Sequence, residues 1–174
     1  MKKISLVLVL ALFLAVGSAF AQHSGSFAIG VLGQYGGGWN NDPGYGGFAL
    51  SLKIPFSSIY WGINADIKKP NFAINVTGDA YIFDPIFVPG INLGFYLGLG
   101  GYVGLDIHKN YFELGFGLRA PIGLFIQPVK FLEVFAAFVP RIGVGIYLGK
   151  DAPDDIVDFP AGGWSAELGI RLWL

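Results

Sequence analysis

The residues of this chain that could do chemistry are few and scattered. Nucleophilic catalysis needs a serine or threonine beside a base that an acid orients, and the 174-residue sequence has only two histidines, His23 and His108. No serine shares a predicted strand with His108, and nothing positions Ser165 beside it. With no cysteine, the chain also lacks disulfides, thiol catalysis and thiolate metal ligands. We therefore expect a protein that is not an enzyme and has no cofactor.

Two acidic features could attract a cation. Asp106 lies two residues before His108, and four aspartates cluster in the last predicted loop. Carboxylates suit hard cations such as Ca²⁺, but the spacing matches no EF-hand loop, and acidic loops are usually just solvated. We predict no physiological metal site and interpret the loop as a candidate external contact surface. Its acidic residues are Asp151, Asp154, Asp155 and Asp158.

A larger charged set lies within apolar segments, always on the less apolar face. Its members are Lys53, Asp66, Asp79, Glu113, Arg119, Glu133, Arg141, Glu167 and Arg171. Charges in a narrow protein interior must be paired, because an isolated buried ion is very unfavourable. Arg119 and Glu133 flank one short turn and are expected to bridge adjacent strands. We interpret the set as a structural network that fills the lumen; a gated polar path for ions is the alternative.

The elements that carry these charges show the period-2 alternation of strands with two different faces. For example, Leu50 and Leu52 alternate with Ser51 and Lys53. After the N-terminus no run of about 20 apolar residues occurs, so no helical span is predicted. The alternating segments number eight: 26–36, 47–54, 60–67, 72–81, 92–100, 112–119, 130–143 and 167–174. Single-chain bacterial barrels have even strand numbers beginning at about eight.

The composition of the two faces decides between kinds of barrel. One face is almost purely Leu, Ile, Phe and Val, whereas the other mixes glycine with polar and charged residues. A soluble lipid-binding barrel has the opposite arrangement, with large apolar residues inside. The predicted fold class is therefore all-β: an eight-stranded antiparallel up-and-down transmembrane β-barrel.

The connections alternate in character, as such a barrel requires. Pro55–Ser58, Asp84–Pro89 and Gln127–Pro128 resemble compact periplasmic turns. More polar loops are predicted at the other end: Gly36–Gly44, Lys68–Asn71, Gly104–Asn110 and Gly149–Gly163. Tyr and Trp near strand ends, among them Tyr60, Tyr81 and Trp173, are expected in the lipid headgroup belt. At Pro121 and Pro140 we expect bulges or early strand ends, because proline lacks a ladder donor.

The N-terminus predicts export. Lys2 and Lys3 precede an apolar run, and Ala19-Phe20-Ala21 fits a small-x-small cleavage site. Residues 1–21 are thus a predicted cleaved signal peptide and residues 22–174 the barrel domain, in the outer membrane of a diderm bacterium. The net charge of −1 gives no basic face for nucleic acid.

Three motifs of the sequence resemble a known group of proteins. They are Gly117-Leu118-Arg119-Ala120-Pro121-Ile122-Gly123-Leu124, then Glu133-Val134-Phe135 with Pro140, and the closing Gly169-Ile170-Arg171-Leu172-Trp173-Leu174. They are similar to a poorly characterised subfamily of the outer membrane protein beta-barrel domain family, whose better-known relatives are OmpX and the OmpA transmembrane domain. The resemblance implies insertion by the BAM assembly machinery, with the last strand as signal; its residues are Leu168, Ile170, Leu172, Trp173 and Leu174.

The hypothesis from sequence is a monomeric outer-membrane barrel with a plugged polar interior. Its role would be structural or surface-interactive through the external loops, with outer-membrane lipid as its surroundings and an extracellular ligand that the sequence does not name. The alternatives are a narrow transport pore, a periplasmic lipid-binding barrel and, with least support, a lipid-modifying enzyme.

Overall fold

The computed structural model describes residues 26–39, 44–68, 71–150 and 152–174. The predicted signal peptide (1–21) and Asp151 lie outside these residues. Within them, no helix is long and apolar enough to cross a membrane.

The described residues form one antiparallel sheet that closes on itself. Its strands are β1 (Ala28–Gly38), β2 (Tyr45–Lys53), β3 (Ile59–Lys68), β4 (Asn71–Phe83), β5 (Ile86–Val88), β6 (Leu93–Ile107), β7 (Tyr111–Arg119), β8 (Ile122–Val129), β9 (Leu132–Gly149) and β10 (Val157–Trp173). β10 pairs with β1 and so closes the ring. β7 and β8 share one position between β6 and β9, and β5 is a short addition beside β6, so the ring has eight strands. The predicted fold class is confirmed.

The break between β7 and β8 occurs at Pro121. Arg119 lies opposite Arg141 and Ile122 lies opposite Phe138, so the register is unchanged across the break and there is no bulge. The Ala120 amide donates to the Pro140 carbonyl over 3.0 Å, but Pro140 has no N–H to return the bond. The two prolines therefore interrupt one short stretch of ladder, while β9 itself continues through Pro140.

Exposure alternates along the strands as the period-2 pattern predicts. In β3, Ile63 is 49% exposed whereas the neighbouring Asn64 is 4% exposed. The outer surface is formed by large aliphatic and aromatic residues, and most charged residues of the strands lie inside, with Asp158 of β10 exposed. This is the inverse of a soluble barrel and the arrangement of a barrel that faces lipid.

The strands at the C-terminal side are longer than the sequence predicts. The loop expected over 149–163 is shorter, because β9 continues to Gly149 and β10 begins at Val157. Asp158 consequently pairs with Gly145 inside a strand. The turn expected at Gln127–Pro128 lies instead at 130–131, between β8 and β9. In both places, hydrogen bonding with the neighbouring strand continues past the residues whose apolar and polar side chains alternate.

The interior glycines make room for large side chains. A Cβ on Gly169 would lie 2.6 Å from the Phe135 ring and 2.7 Å from Leu32 Cβ. We expect Gly169→Val to lower the free energy of unfolding by about 1–3 kcal/mol, the usual effect of overpacking. Gly33→Val is the control, because nothing lies within 4 Å of its Cβ. Urea unfolding of both variants would measure the difference, and equal stability would contradict this packing.

Candidate functional site

The lumen runs from the end where β1 begins and β10 ends (the terminal end) to the end where β1, β3, β6 and β9 end (the loop end). At the terminal end, the fully buried Lys53 donates from Nζ to the carbonyl oxygens of Ile54 and Ser57. The nearby Tyr60 ring stacks on Tyr81 at 4.0 Å between centroids, and Tyr81 stacks on Tyr96 at 4.3 Å. Three stacked rings thus line the lumen along the neighbouring strands β3, β4 and β6.

Arg171 connects several strands in this region. Its Nη1 lies 2.6 Å from Glu133 Oε1, and its Nη2 donates to the Tyr81 hydroxyl over 3.0 Å. The guanidinium also donates to Ser51 Oγ over 3.0 Å and lies 3.8 Å from the Phe135 ring centroid. β10 and β4 are opposite in the ring, so Arg171 bridges the full width of the lumen.

A second arginine forms the next set of ion pairs toward the loop end. Arg119 Nη2 donates to Glu167 Oε1 over 3.0 Å, and Arg119 Nε lies 3.0 Å from Asp79 Oδ1. Ser165 donates to the same Glu167 oxygen over 3.2 Å. All four side chains are buried, and they join β4, β7 and β10 across the lumen.

The expected contact between Arg119 and Glu133 is not formed. Arg119 lies opposite Arg141 in the ladder, eight positions along β9 from Glu133. At about 3.3 Å per residue, that separation is roughly 26 Å. The whole of β8 intervenes, so each residue pairs with charges on other strands.

At the next level toward the loop end, amide side chains and aromatic rings contact the charged residues. Asp66 accepts hydrogen bonds from Gln34 Nε2 and, over 2.9 Å, from Asn75 Nδ2. Arg141 lies half-buried between two aromatic rings, 5.2 Å from the Tyr45 centroid and 5.7 Å from that of Tyr102.

The mouth at the loop end holds a cavity of about 340 Å³. Lys68, Asp106, His108, Glu113 and Arg141 are among its lining residues. Lys68 Nζ lies 2.5 Å from Asp106 Oδ2, and His108 Nε2 lies 3.6 Å from Asp106 Oδ1. Two cavities further in measure only about 10 and 20 Å³, room for about one water molecule each.

His108 and Ser165 lie at different levels of the barrel. His108 contacts Asn71, Asp106 and Glu113 at the mouth, whereas Ser165 bonds to Glu167 in the lumen. These two residues therefore do not form a nucleophile and base pair.

The acidic residues near the last loop and the outward residues of the C-terminal segment lie apart from the lumen network, whereas Trp173 belongs to it. Asp154 and Asp155 are exposed in the connection between β9 and β10, and Asp158 is exposed at the mouth. On the last strand, Leu168, Ile170, Leu172 and Leu174 face outward while Trp173 is buried. Trp173 donates from Nε1 to Glu133 Oε2 over 3.0 Å.

Several lumen residues were assigned elsewhere from sequence or not assigned at all. Tyr60, Tyr81 and Trp173 were expected in the headgroup belt, and all three are buried inside. Their period-2 position already placed them with the polar face, and this signal outweighs proximity to a strand end. Lys68 was absent from the charged set because its position fell in a predicted loop.

The chain resembles known proteins in structure but not in sequence. No family model matches the sequence, and no curated protein matches it significantly. The N-terminal β-barrel domain of Pseudomonas aeruginosa OprF superposes with a TM-score of 0.53 at 13% identity, covering 88% of this chain and 100% of that domain. Neisserial surface protein A (NspA) superposes with a TM-score of 0.54 at 12% identity, covering 84% of this chain and 96% of NspA. The chain has the fold of the small outer-membrane barrels. At this identity the likeness concerns the fold alone, and the predicted resemblance is confirmed at that level.

Proposed function

We propose that the protein is an integral outer-membrane barrel with a sealed lumen, which acts structurally or through contacts at its loop end. The observation that carries this proposal is the pair of cross-lumen bridges together with the ring stack. Arg171 joins β10 to β4, Arg119 joins β7 to both β4 and β10, and Tyr60, Tyr81 and Tyr96 fill the space below.

The apolar exterior supports the location in a membrane. Outward residues such as Val31, Ile63 and Leu118 are about half exposed, and water is a poor surrounding for a continuous apolar band. The fold shared with OprF and NspA points to the outer membrane in particular. Export behind residues 1–21 and insertion by BAM through the last strand belong to the same proposal.

The narrow lumen supports a structural role over transport. An eight-stranded interior is just wide enough for side chains to fill, and the cavities below the mouth hold about one water molecule each. A lipid-binding barrel would need an apolar cavity, whereas this lumen contains paired charges and stacked tyrosines. The surface left for a partner is then the loop end, including Asp154 and Asp155.

Planar-bilayer recording tests the seal. We expect no resolved conductance steps from the wild-type barrel, because the stacked Tyr60, Tyr81 and Tyr96 rings narrow the lumen beneath the two arginine bridges. Tyr81→Ala combined with Tyr96→Ala removes two of the three rings and should produce measurable conductance. Tyr35→Ala, an outward residue that is 59% exposed, is the control and should stay silent.

A conducting wild-type barrel would contradict the proposal. Resolved steps from the wild-type barrel whose size changes in Arg119→Ala would identify a pore lined by the charge network. Each variant is first checked for folding by the difference in gel mobility between unboiled and boiled protein.

A further inference from the structure

Three potential metal ligands converge at the mouth, from two neighbouring strands and the turn between them. Asp106 ends the inward face of β6, His108 begins the turn, and Glu113 lies on β7 opposite Asp106 in the ladder. One ligand atom from each of the three lies within 4.8 Å of the other two. The β6–β7 hairpin therefore brings together residues that the sequence spacing alone did not connect.

Two of these atoms are buried without a hydrogen bond. Among the residues that the structure describes, neither Asp106 Oδ1 nor His108 Nε2 has a hydrogen-bond partner, although Asp106 is only 7% exposed. The two atoms face each other at 3.6 Å, and Glu113 Oε2 lies 3.9 Å from the same nitrogen. Buried polar atoms are nearly always bonded to something, and an ion held between these two atoms and Glu113 Oε2 would supply the partner that both lack.

We propose that this site binds one divalent transition metal ion of the zinc class, through Asp106, His108 and Glu113. Zinc bound tetrahedrally at about 2.0–2.1 Å separates its ligands by roughly 3.4 Å. The two observed separations from His108 Nε2 exceed this by only a few tenths of an ångström. The site does not depend on whether the lumen is sealed.

The surroundings of His108 orient its ring for this role. The ring stacks on Tyr111 at 4.1 Å between centroids with 12° between planes. Its Nδ1 lies 2.7 Å from Asn71 Nδ2. A half-turn of that amide exchanges its nitrogen and oxygen, which are nearly equal in size, and Oδ1 then accepts from the Nδ1–H and leaves Nε2 as a neutral ligand.

The donor set favours zinc over calcium. Lys68 Nζ donates to Asp106 Oδ2. Asp106 therefore offers only its other oxygen to a metal ion and cannot bind the ion in bidentate fashion. Calcium takes about 6–8 oxygen ligands, whereas imidazole nitrogen with two carboxylates suits zinc and its neighbours. All three residues line the mouth cavity, from which water can supply a fourth ligand.

The test is simplified because the chain has few other nitrogen or sulfur ligands for zinc. The chain has no cysteine and only one other histidine, His23, so a His23→Gln protein without a histidine tag retains His108 as its single imidazole. Calorimetric titration of this refolded protein with ZnCl₂ in chelator-treated detergent is expected to show saturable equimolar binding. In the same protein labelled with ¹⁵N-histidine, zinc should shift the Nε2 resonance of His108.

Variants then assign the ligands. Asp106→Asn, His108→Gln and Glu113→Gln should each abolish saturable binding or weaken it strongly, and Asn71→Ala should weaken it roughly 10- to 100-fold as a positioning residue. Asp155→Asn is the matched control, since it removes one carboxylate from an exposed position; its affinity should equal that of the parent. The gel-mobility assay confirms that each variant is folded.

Three results would overturn the proposal. The first is the absence of equimolar zinc binding, which would leave the direct contacts of His108 with the two carboxylates as the better account. The second is binding that His108→Gln does not change. The third is displacement of zinc by an equal concentration of calcium. None of these results bears on the conductance experiment, so the two proposals fail separately.

Discussion

Replacing Arg171 with methionine is expected to lower the free energy of unfolding by about 3–5 kcal/mol, the usual effect of breaking a buried ion pair. The substitution leaves the Glu133 carboxylate buried without the cation at 2.6 Å. It also removes the donor to Tyr81 on the opposite wall. Urea unfolding in lipid vesicles, followed by tryptophan fluorescence, measures the loss.

A double variant separates lost charge pairing from lost packing. Adding Glu133→Gln to Arg171→Met removes the uncompensated charge while keeping an oxygen that can accept from Trp173, so much of the lost stability should return. Lys109→Met, which removes a cation from an exposed position, serves as the control. If Arg171→Met is no less stable than that control, the lumen is not held together by this pair.

Introducing arginine at Ile63 is expected to lower the free energy of unfolding in bilayers by about 2–4 kcal/mol, the range for a lipid-facing position near the membrane midplane. Ile63 is central in β3, between Leu50 of β2 and Val76 of β4, and its side chain is 49% exposed. The destabilisation comes from the unfavourable free energy of transferring a guanidinium from water into hydrocarbon. Reversible unfolding from lipid vesicles measures it.

The control for this substitution lies in the turn between β2 and β3. Phe56 is fully exposed there, so Phe56→Arg should change stability little. A soluble barrel would give a different outcome, because arginine at Ile63 would then face water. Recovery of wild-type protein without detergent, with Ile63→Arg as stable as Phe56→Arg, would reject the membrane assignment.

The sequence by itself determined which side chains face in and which face out. Alternate residues of a strand point to opposite faces whatever the partner strand, so Asn64 and Ile63 could be separated without knowledge of pairing. The mixture of glycine with charge on one face and aliphatics on the other then selected a lipid-facing barrel. The same alternation would have placed Tyr60, Tyr81 and Trp173 inside, had it been given priority over their position near strand ends.

Only the tertiary structure decided which inward residues meet. Alternation specifies a face, but depth in the lumen and the identity of the opposite wall depend on register and on closure of the ring. Closure places β10 across from β4, and so Arg171 meets Tyr81 instead of a sequence neighbour. The β6–β7 register likewise places Glu113 opposite Asp106. These contacts join residues distant in sequence or on different elements, and no local pattern encodes them.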